Sequence, residues 1–334
     1  MNIKEMTRNR AWFACAILLV LIPGFVQAES YKPHPGEDAS EIFIFGDSLA
    51  DPGNIAFLTG LVSTAPFAPI PAAPYDTGRF SNGKTWAEQL TRHLRRPDSG
   101  SPAFANPLDF GNFGAGGARA RSVGAAPPLA SQVGLFLAVR ANVAPADALY
   151  IVQFGGNDIR DALGVFDPDD LDPSFDIVNE AVQSTMDNLE LLYIAGARNF
   201  LIANVPNLGR APAITFSGTG AVFVATLLTG SYNAILEGRL QTYEGLKADD
   251  ELQILRLNMF KIINDVADAP EAFGFANATI PCLTFGVLVD AVCDDPDAHV
   301  FWDGIHPTEA MHHTLGNAAI KVLRKSEIFL SGDD

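Results

Sequence analysis

An unbroken apolar run, Ile42-Phe43-Ile44-Phe45, halts at Gly46-Asp47-Ser48-Leu49, and no other stretch constrains the chain more. All four residues are β-branched or aromatic, so the run reads as a strand buried on both faces, as in a parallel sheet covered by helices. The same punctuation recurs downstream. Residues 148–154 run into Gly155-Gly156-Asn157-Asp158, and residues 200–205 stop at Pro206. Leu108-Asp109-Phe110 and residues 254–257 complete a set of five candidate strands, the first of these two being short and charged. Helical spacing is expected at about 84–95, 175–196, 220–248 and 260–266, with a last helix running to about Leu323. Alternating strands and helices imply an α/β fold with a doubly wound parallel sheet. Ligands of such sheets bind beyond the carboxyl ends of the strands. Ser48 and Asn157 therefore stand where reacting groups belong. Taken singly, each has a local alternative: Asp47-Ser48 caps a helix well, and Asn tolerates the turn conformations of a Gly-rich segment.

The N-terminus carries a different signal. Lys4, Arg8 and Arg10 precede an apolar stretch over residues 11–26, and Val26-Gln27-Ala28 follows with small residues where a signal peptidase cuts. Residues 1–28 are thus expected to be a secretory signal peptide, leaving residues 29–334 as a single exported domain. Pro23 and Gly24 interrupt the run, which disfavours a membrane anchor. No later segment is expected to have the length and apolarity to span a membrane. The chain has 22 basic and 39 acidic residues, a net charge of −17, and removal of residues 1–28 takes this to −19. Such a charge disfavours nucleic acid and anionic membrane surfaces as partners. With no repeat or linker in the sequence, one domain is expected; the protein is also expected to be a monomer.

Beyond the leader only Cys282 and Cys293 remain. Two cysteines close together in an exported protein are expected to form a disulfide, the alternative being two buried thiols. They are too few for a structural zinc site. His299, His306, His312 and His313 invite a metal reading, but none shows the His-x-x-x-His spacing of a helical ligand pair. No metal or other cofactor is expected.

Two further segments bear on chemistry. Gly111-Asn112-Phe113-Gly114-Ala115-Gly116-Gly117-Ala118 is dense in glycine, so its backbone is closely approached or carries positive φ. It lacks both the P-loop lysine and the dinucleotide spacing. Near the C-terminus, Asp303 and His306 stand three apart in Asp303-Gly304-Ile305-His306-Pro307. A carboxylate so placed can hold an imidazole in one tautomer, as a catalytic triad requires. A solvated turn with Pro307 opening the next helix is the alternative.

Taken together, the Gly46-Asp47-Ser48-Leu49 block, the glycine block ending Gly116-Gly117-Ala118, Gly155-Gly156-Asn157-Asp158 and Asp303-Gly304-Ile305-His306-Pro307 resemble, in order and spacing, the GDSL lipase/esterase family, the SGNH hydrolases. Asp51-Pro52-Gly53-Asn54 and Gly78-Arg79-Phe80-Ser81-Asn82-Gly83 are similar to its secreted bacterial branch, described as phospholipase- or lecithinase-like. The resemblance covers residues 41–324. It implies a three-layer α/β/α sandwich, flavodoxin-like, around a five-stranded parallel sheet. It also implies Ser48 as nucleophile, His306 as base and Asp303 as the residue orienting it. The oxyanion donors would be the backbone N–H groups of Ser48 and Gly117 (or the neighbouring Gly116) and the side chain of Asn157. A small-molecule or lipid ester is the implied substrate. An acyltransferase built on the same acyl-enzyme, or a lipid- or glycan-binding module without chemistry, are the competing classes. Residues 57–80, with Phe57, Leu58, Leu61, Phe67 and Ile70, leave directly from the nucleophile block and are expected to wall an acyl pocket.

Overall fold

The computed structural model describes residues 41–60, 71–248, 251–284 and 291–326. These belong to one compact unit spanning residues 33–334. The expected leader, with its cleavage point near Ala28, lies outside the described residues.

Strands β1 (Ile42–Gly46), β2 (Leu149–Gln153), β3 (Asn199–Ala203) and β4 (Gln253–Leu257) form a parallel sheet in the order β1-β2-β3-β4. Ile42 lies opposite Leu149, which lies opposite Asn199 and then Gln253. Between and after them come α1 (Asn54–Thr59), α2 (Trp86–His93), α3 (Leu129–Val139), α4 (Gly156–Gly164), α5 (Asp172–Ile194), α6 (Pro212–Thr215), α7 (Thr219–Leu246), α8 (Met259–Asp268) and α9 (Glu309–Leu323).

Both faces of β1 are buried because successive side chains point to opposite sides. Phe43 and Phe45 join a core with α3, α4, α5 and α7, including Phe136, Ile159, Val182 and Leu228. Ile42 and Ile44 join a second core with α2, α8 and α9, including Trp86, Ile263 and Met311. Helices thus cover the sheet on both sides. Helix α2 begins at Trp86 because Thr85 and Glu88 form a capping box, each side chain taking the other's backbone N–H. Helix α9 begins at Glu309, two residues after Pro307, since the Thr308 hydroxyl accepts from the Met311 N–H and takes the cap position.

The expectation of five strands is corrected among the described residues: the sheet has four. Leu108-Asp109-Phe110 is not a strand. The next residues run beside β1 instead, the Ile44 N–H donating to Gly111 O at 2.9 Å and the Phe113 N–H to Ile44 O at 2.7 Å. Between this segment and β1, among the described residues, only the bridge from Ile44 to Asn112 has strand geometry. Glycines that keep this edge irregular also leave its backbone available for other bonds.

Helices α3 and α4 were not legible beforehand. The sequence of α3, Leu-Ala-Ser-Gln-Val-Gly-Leu-Phe-Leu-Ala-Val, has no polar stripe to reveal a period. A second correction concerns α7, which is long and apolar enough to cross a membrane by length and composition. Its inner face packs into the first core through Ala225, Leu228, Tyr232, Leu236 and Leu240.

Candidate active site

At the carboxyl end of β1 the chain must turn sharply, and buried polar groups hold the turn. The Gly46 N–H donates to Gln132 Oε1 at 3.0 Å, and Gln132 Nε2 donates back to Gly46 O at 2.9 Å. A side chain at Gly46 would meet Ala50 Cβ at 2.8 Å. Asp47 is buried and accepts from the Leu49 N–H at 3.0 Å. Burial pushes its carboxyl up to about 6, against the lowering effect of the Leu49 N–H, Gln153 and His306. These contacts lift Ser48 to the cavity wall, half-buried. Among the described residues its N–H has no acceptor within the protein.

Asp51 ties this turn to the glycine segment. Its carboxylate accepts from the N–H groups of Gly53, Asn54, Ile55 and Gly116, at 2.6–3.2 Å. Burial raises its pKa to about 6, opposed by those same donors. Asn54 Nδ2 donates to Asn112 O at 2.8 Å and Gly114 O at 2.7 Å, completing the clamp. The Gly116 N–H is spent on Asp51, whereas the Gly117 N–H has no acceptor among the described residues. Gly116 is glycine for space, because a Cβ there would lie 2.0 Å from the Phe80 ring.

Asn157 stands in the first turn of α4, after Gly156, and is buried. Gly155, the cap of this helix two residues earlier, has φ 116°, and a Cβ would strike Tyr232 and Val205 at 2.6 Å, so only glycine turns the chain here. Asn157 Nδ2 donates to Ala118 O at 2.9 Å, while its Oδ1 accepts from Arg160 at 3.4 Å. Two partners thus set the amide's orientation, and one of the two N–H bonds remains for a ligand. Asp158 anchors the same helix to the glycine segment through the Ala120 N–H at 2.8 Å and Arg121 Nε at 2.9 Å. Burial raises the Asp158 pKa, and these two partners lower it.

Asp303 and His306 sit on a tight loop closed by the Trp302 N–H donating to His306 O at 2.8 Å. Asp303 Oδ1 accepts from the Ile305 N–H at 2.8 Å and the His306 N–H at 2.7 Å. Its Oδ2 lies 2.7 Å from His306 Nδ1 and accepts from the Tyr75 hydroxyl at 2.7 Å. Burial alone would raise this carboxyl. The His306 charge and these donors overcome burial and hold it at about 2. An ionised carboxylate only accepts, so His306 Nδ1 must carry the proton, and in the neutral ring Nε2 is then an acceptor. Ser48 Oγ stands 3.0 Å from that Nε2. The structure therefore brings Ser48, His306 and Asp303 into one line, with Asn157 and the Gly117 segment beside them.

Cys282 and Cys293 are bonded to each other and pack with Tyr75, Leu283 and Trp302. The Cys282 N–H donates to Phe301 O at 2.9 Å and the Leu283 N–H to Trp302 O at 2.6 Å, so the disulfide braces the segment that delivers Asp303. Opening it should destabilise the protein by roughly 2–3 kcal/mol, from the chain entropy of an 11-residue separation. Urea melts with and without reductant read that difference directly, and coincident curves would contradict it. His299 lies beside this bridge, but both sulfurs are already engaged. His312 is buried and accepts from the Trp86 N–H at 3.2 Å; burial lowers it to about 3.

A cavity leads inward from Ser48, Asn157, Arg160 and His306 to Leu208, Ile263, Phe301, Met311 and Leu315. Among the described residues its apolar wall comes from the segment after β3 and from α8 and α9. Of residues 57–80, expected to wall it, Phe57 and Leu58 are exposed and do not line the cavity, while Leu61, Phe67 and Ile70 lie outside the described residues. Tyr75 and Gln132 had no motif to reveal them. Gln132 alone left a trace, an amide within an otherwise apolar stretch.

The family model described as GDSL-like Lipase/Acylhydrolase matches residues 42–319. A GDSL esterase/lipase of Arabidopsis thaliana is 26% identical over 368 residues, covering 93% of this chain and 94% of its own. The thermolabile hemolysin of Vibrio parahaemolyticus is 24% identical over 301 residues, covering 85% of this chain and 64% of its own. An extracellular lipase from Streptomyces rimosus of known structure shares 16% identity at a TM-score of 0.38, covering 86% of this chain and 99% of its own.

Proposed function

Since the chain belongs to the GDSL-like lipase/acylhydrolase family, we propose that it hydrolyses carboxylic esters through an acyl-enzyme on Ser48. The observation that carries this reading is the contact line Ser48 Oγ–His306 Nε2 at 3.0 Å and His306 Nδ1–Asp303 Oδ2 at 2.7 Å. A serine hydroxyl is a weak nucleophile until a base takes its proton. His306 takes it as Oγ attacks the ester carbonyl, and Asp303 stabilises the imidazolium. Charge developing on the carbonyl oxygen meets the N–H groups of Ser48 and Gly117 and the remaining N–H of Asn157. His306 then returns the proton to the leaving alcohol, and water repeats the sequence on the acyl-enzyme.

The apolar interior of the cavity supports an acyl group as its occupant, each buried methylene contributing about 0.8 kcal/mol. Lipid or short-to-medium acyl esters are therefore the substrate class. The resemblance to the secreted phospholipase-like bacterial branch and the similarity to a hemolysin favour a lipid ester. The basic-apolar N-terminus and the disulfide favour an exported protein. Rates across a p-nitrophenyl ester series of increasing chain length test the proposal. Hydrolysis should be measurable and should rise with chain length until the cavity is filled; absence of turnover on every ester would refute it.

Asn157→Ala should remove one oxyanion donor and cost about 3 kcal/mol of transition-state stabilisation. Because the donor acts on the transition state, the loss should fall on kcat more than on KM. A change confined to KM would give Asn157 a binding role instead.

A further inference from the structure

Residues 211–236 contain no charged side chain, in a chain of net charge −17, and the stretch is flanked by Arg210 and Glu237. This stretch forms α6 and most of α7, and much of it faces outward. Phe216 is 70% exposed and Phe223 68%, with Leu227 on the same face of α7 as Phe223, one turn further on. Only 28% of the most apolar window of α7 is buried. Isolated exposed apolar residues need no explanation, whereas two exposed phenylalanines on an uncharged corner mark an interaction surface.

The corner is continuous with the site. Ala211 lines the cavity beside Ser48. The Ala213 N–H donates at 2.8 Å to the carbonyl of Gly304, which lies between Asp303 and His306. The apolar surface therefore starts within a few residues of the catalytic loop. A positively charged helix face would point to an anionic membrane. Here the face carries no cation, and the acidic protein as a whole is repelled by anionic lipid. The matching surface is apolar or zwitterionic, without net charge.

We propose that the α6–α7 corner, centred on Phe216, Phe223 and Leu227, docks the protein onto the uncharged surface of a lipid aggregate and holds the cavity mouth against it. Phosphatidylcholine is the simplest lipid of that kind. The inference rests on the ester-hydrolase reading for what the surface delivers, but docking itself is measured without turnover.

Flotation of the full chain with phosphatidylcholine vesicles tests it, with the Phe216→Ser/Phe223→Ser variant alongside. Both carry the same N-terminus, so its apolar residues contribute equally. Partitioning of the variant should be lower by at least about ten-fold, while hydrolysis of monomeric p-nitrophenyl butyrate is retained. Leu227→Lys should shift binding from phosphatidylcholine toward phosphatidylglycerol vesicles, a gain that misfolding cannot produce. Equal partitioning of wild type and double variant, or no shift with Leu227→Lys, would overturn the proposal. So would a wild-type preference for phosphatidylglycerol, or a dimer in sedimentation that the double variant breaks, since the corner would then bind a second copy. If the wild type partitions as expected but hydrolyses no ester, the ester reading fails and the docking surface stands.

Discussion

Ser48→Ala is expected to abolish ester hydrolysis, with kcat falling on the order of 10⁴-fold or more, while the fold survives. The size of the loss follows from removing the only atom that becomes bonded to the acyl group; residual rate would come from the oxyanion donors and binding alone. Survival of the fold follows from the contacts. Ser48 is half-buried, and among the described residues its hydroxyl has one hydrogen-bond partner, His306 Nε2. The turn beneath it is held by Gly46, Asp47 and Gln132, none of which the substitution touches. Thermal melts within a few degrees of wild type together with lost turnover are the expected pair of results. Turnover near the wild-type rate in the purified variant would mean that another nucleophile does the work.

Asp303→Asn should be nearly as damaging, with a fall in kcat of roughly 10⁴-fold by analogy with loss of the carboxylate in other triads. The reason here is specific. Four donors converge on Asp303: the Ile305 and His306 N–H groups, the Tyr75 hydroxyl and His306 Nδ1. An amide at that position supplies one accepting oxygen and directs two N–H bonds at groups that themselves donate. The imidazole then loses the partner that fixes its tautomer. Stability supplies a second readout. In the wild type the Asp303 carboxyl is lowered from 3.8 to about 2. Its contribution is thus fully present above the ordinary value and is lost as the pH falls through the folded one. Between about pH 4 and pH 2 the wild type should lose a stabilisation that the Asn variant never has. Parallel denaturation profiles of the two proteins across that window would contradict the assignment of the carboxylate as ionised and hydrogen-bonded. A Tyr75→Phe variant should show a smaller loss in the same direction, since it removes one donor of four.

Strand positions were legible in the sequence because residues buried on both faces of a sheet must be apolar without interruption, and glycine or proline must end them. That local rule located Ile42–Phe45 and the strands leading to Asn157 and Pro206. The blocks around Ser48, Asn157 and the Asp303-His306 pair were legible for a related reason. Tight turns at strand tips admit few residue types, so their composition is written into the chain. What the tertiary structure alone decided is which groups are left unoccupied. Gly116 and Gly117 are indistinguishable in sequence, yet the Asp51 carboxylate, 65 residues away, takes the Gly116 N–H. Tyr75 meets Asp303 across 228 residues, and Gln132 meets Gly46 across 86. Among the described residues the apolar cavity wall comes from α8, α9 and the segment after β3, brought together from distant parts of the chain. The expected fifth strand gave way to glycine-rich backbone bonded to β1 and to Asn54. Residue type and spacing govern how a segment folds locally. Hydrogen-bond partners and cavity walls depend on which distant segments arrive at the same place, and packing settles that only once the two cores have closed on the sheet.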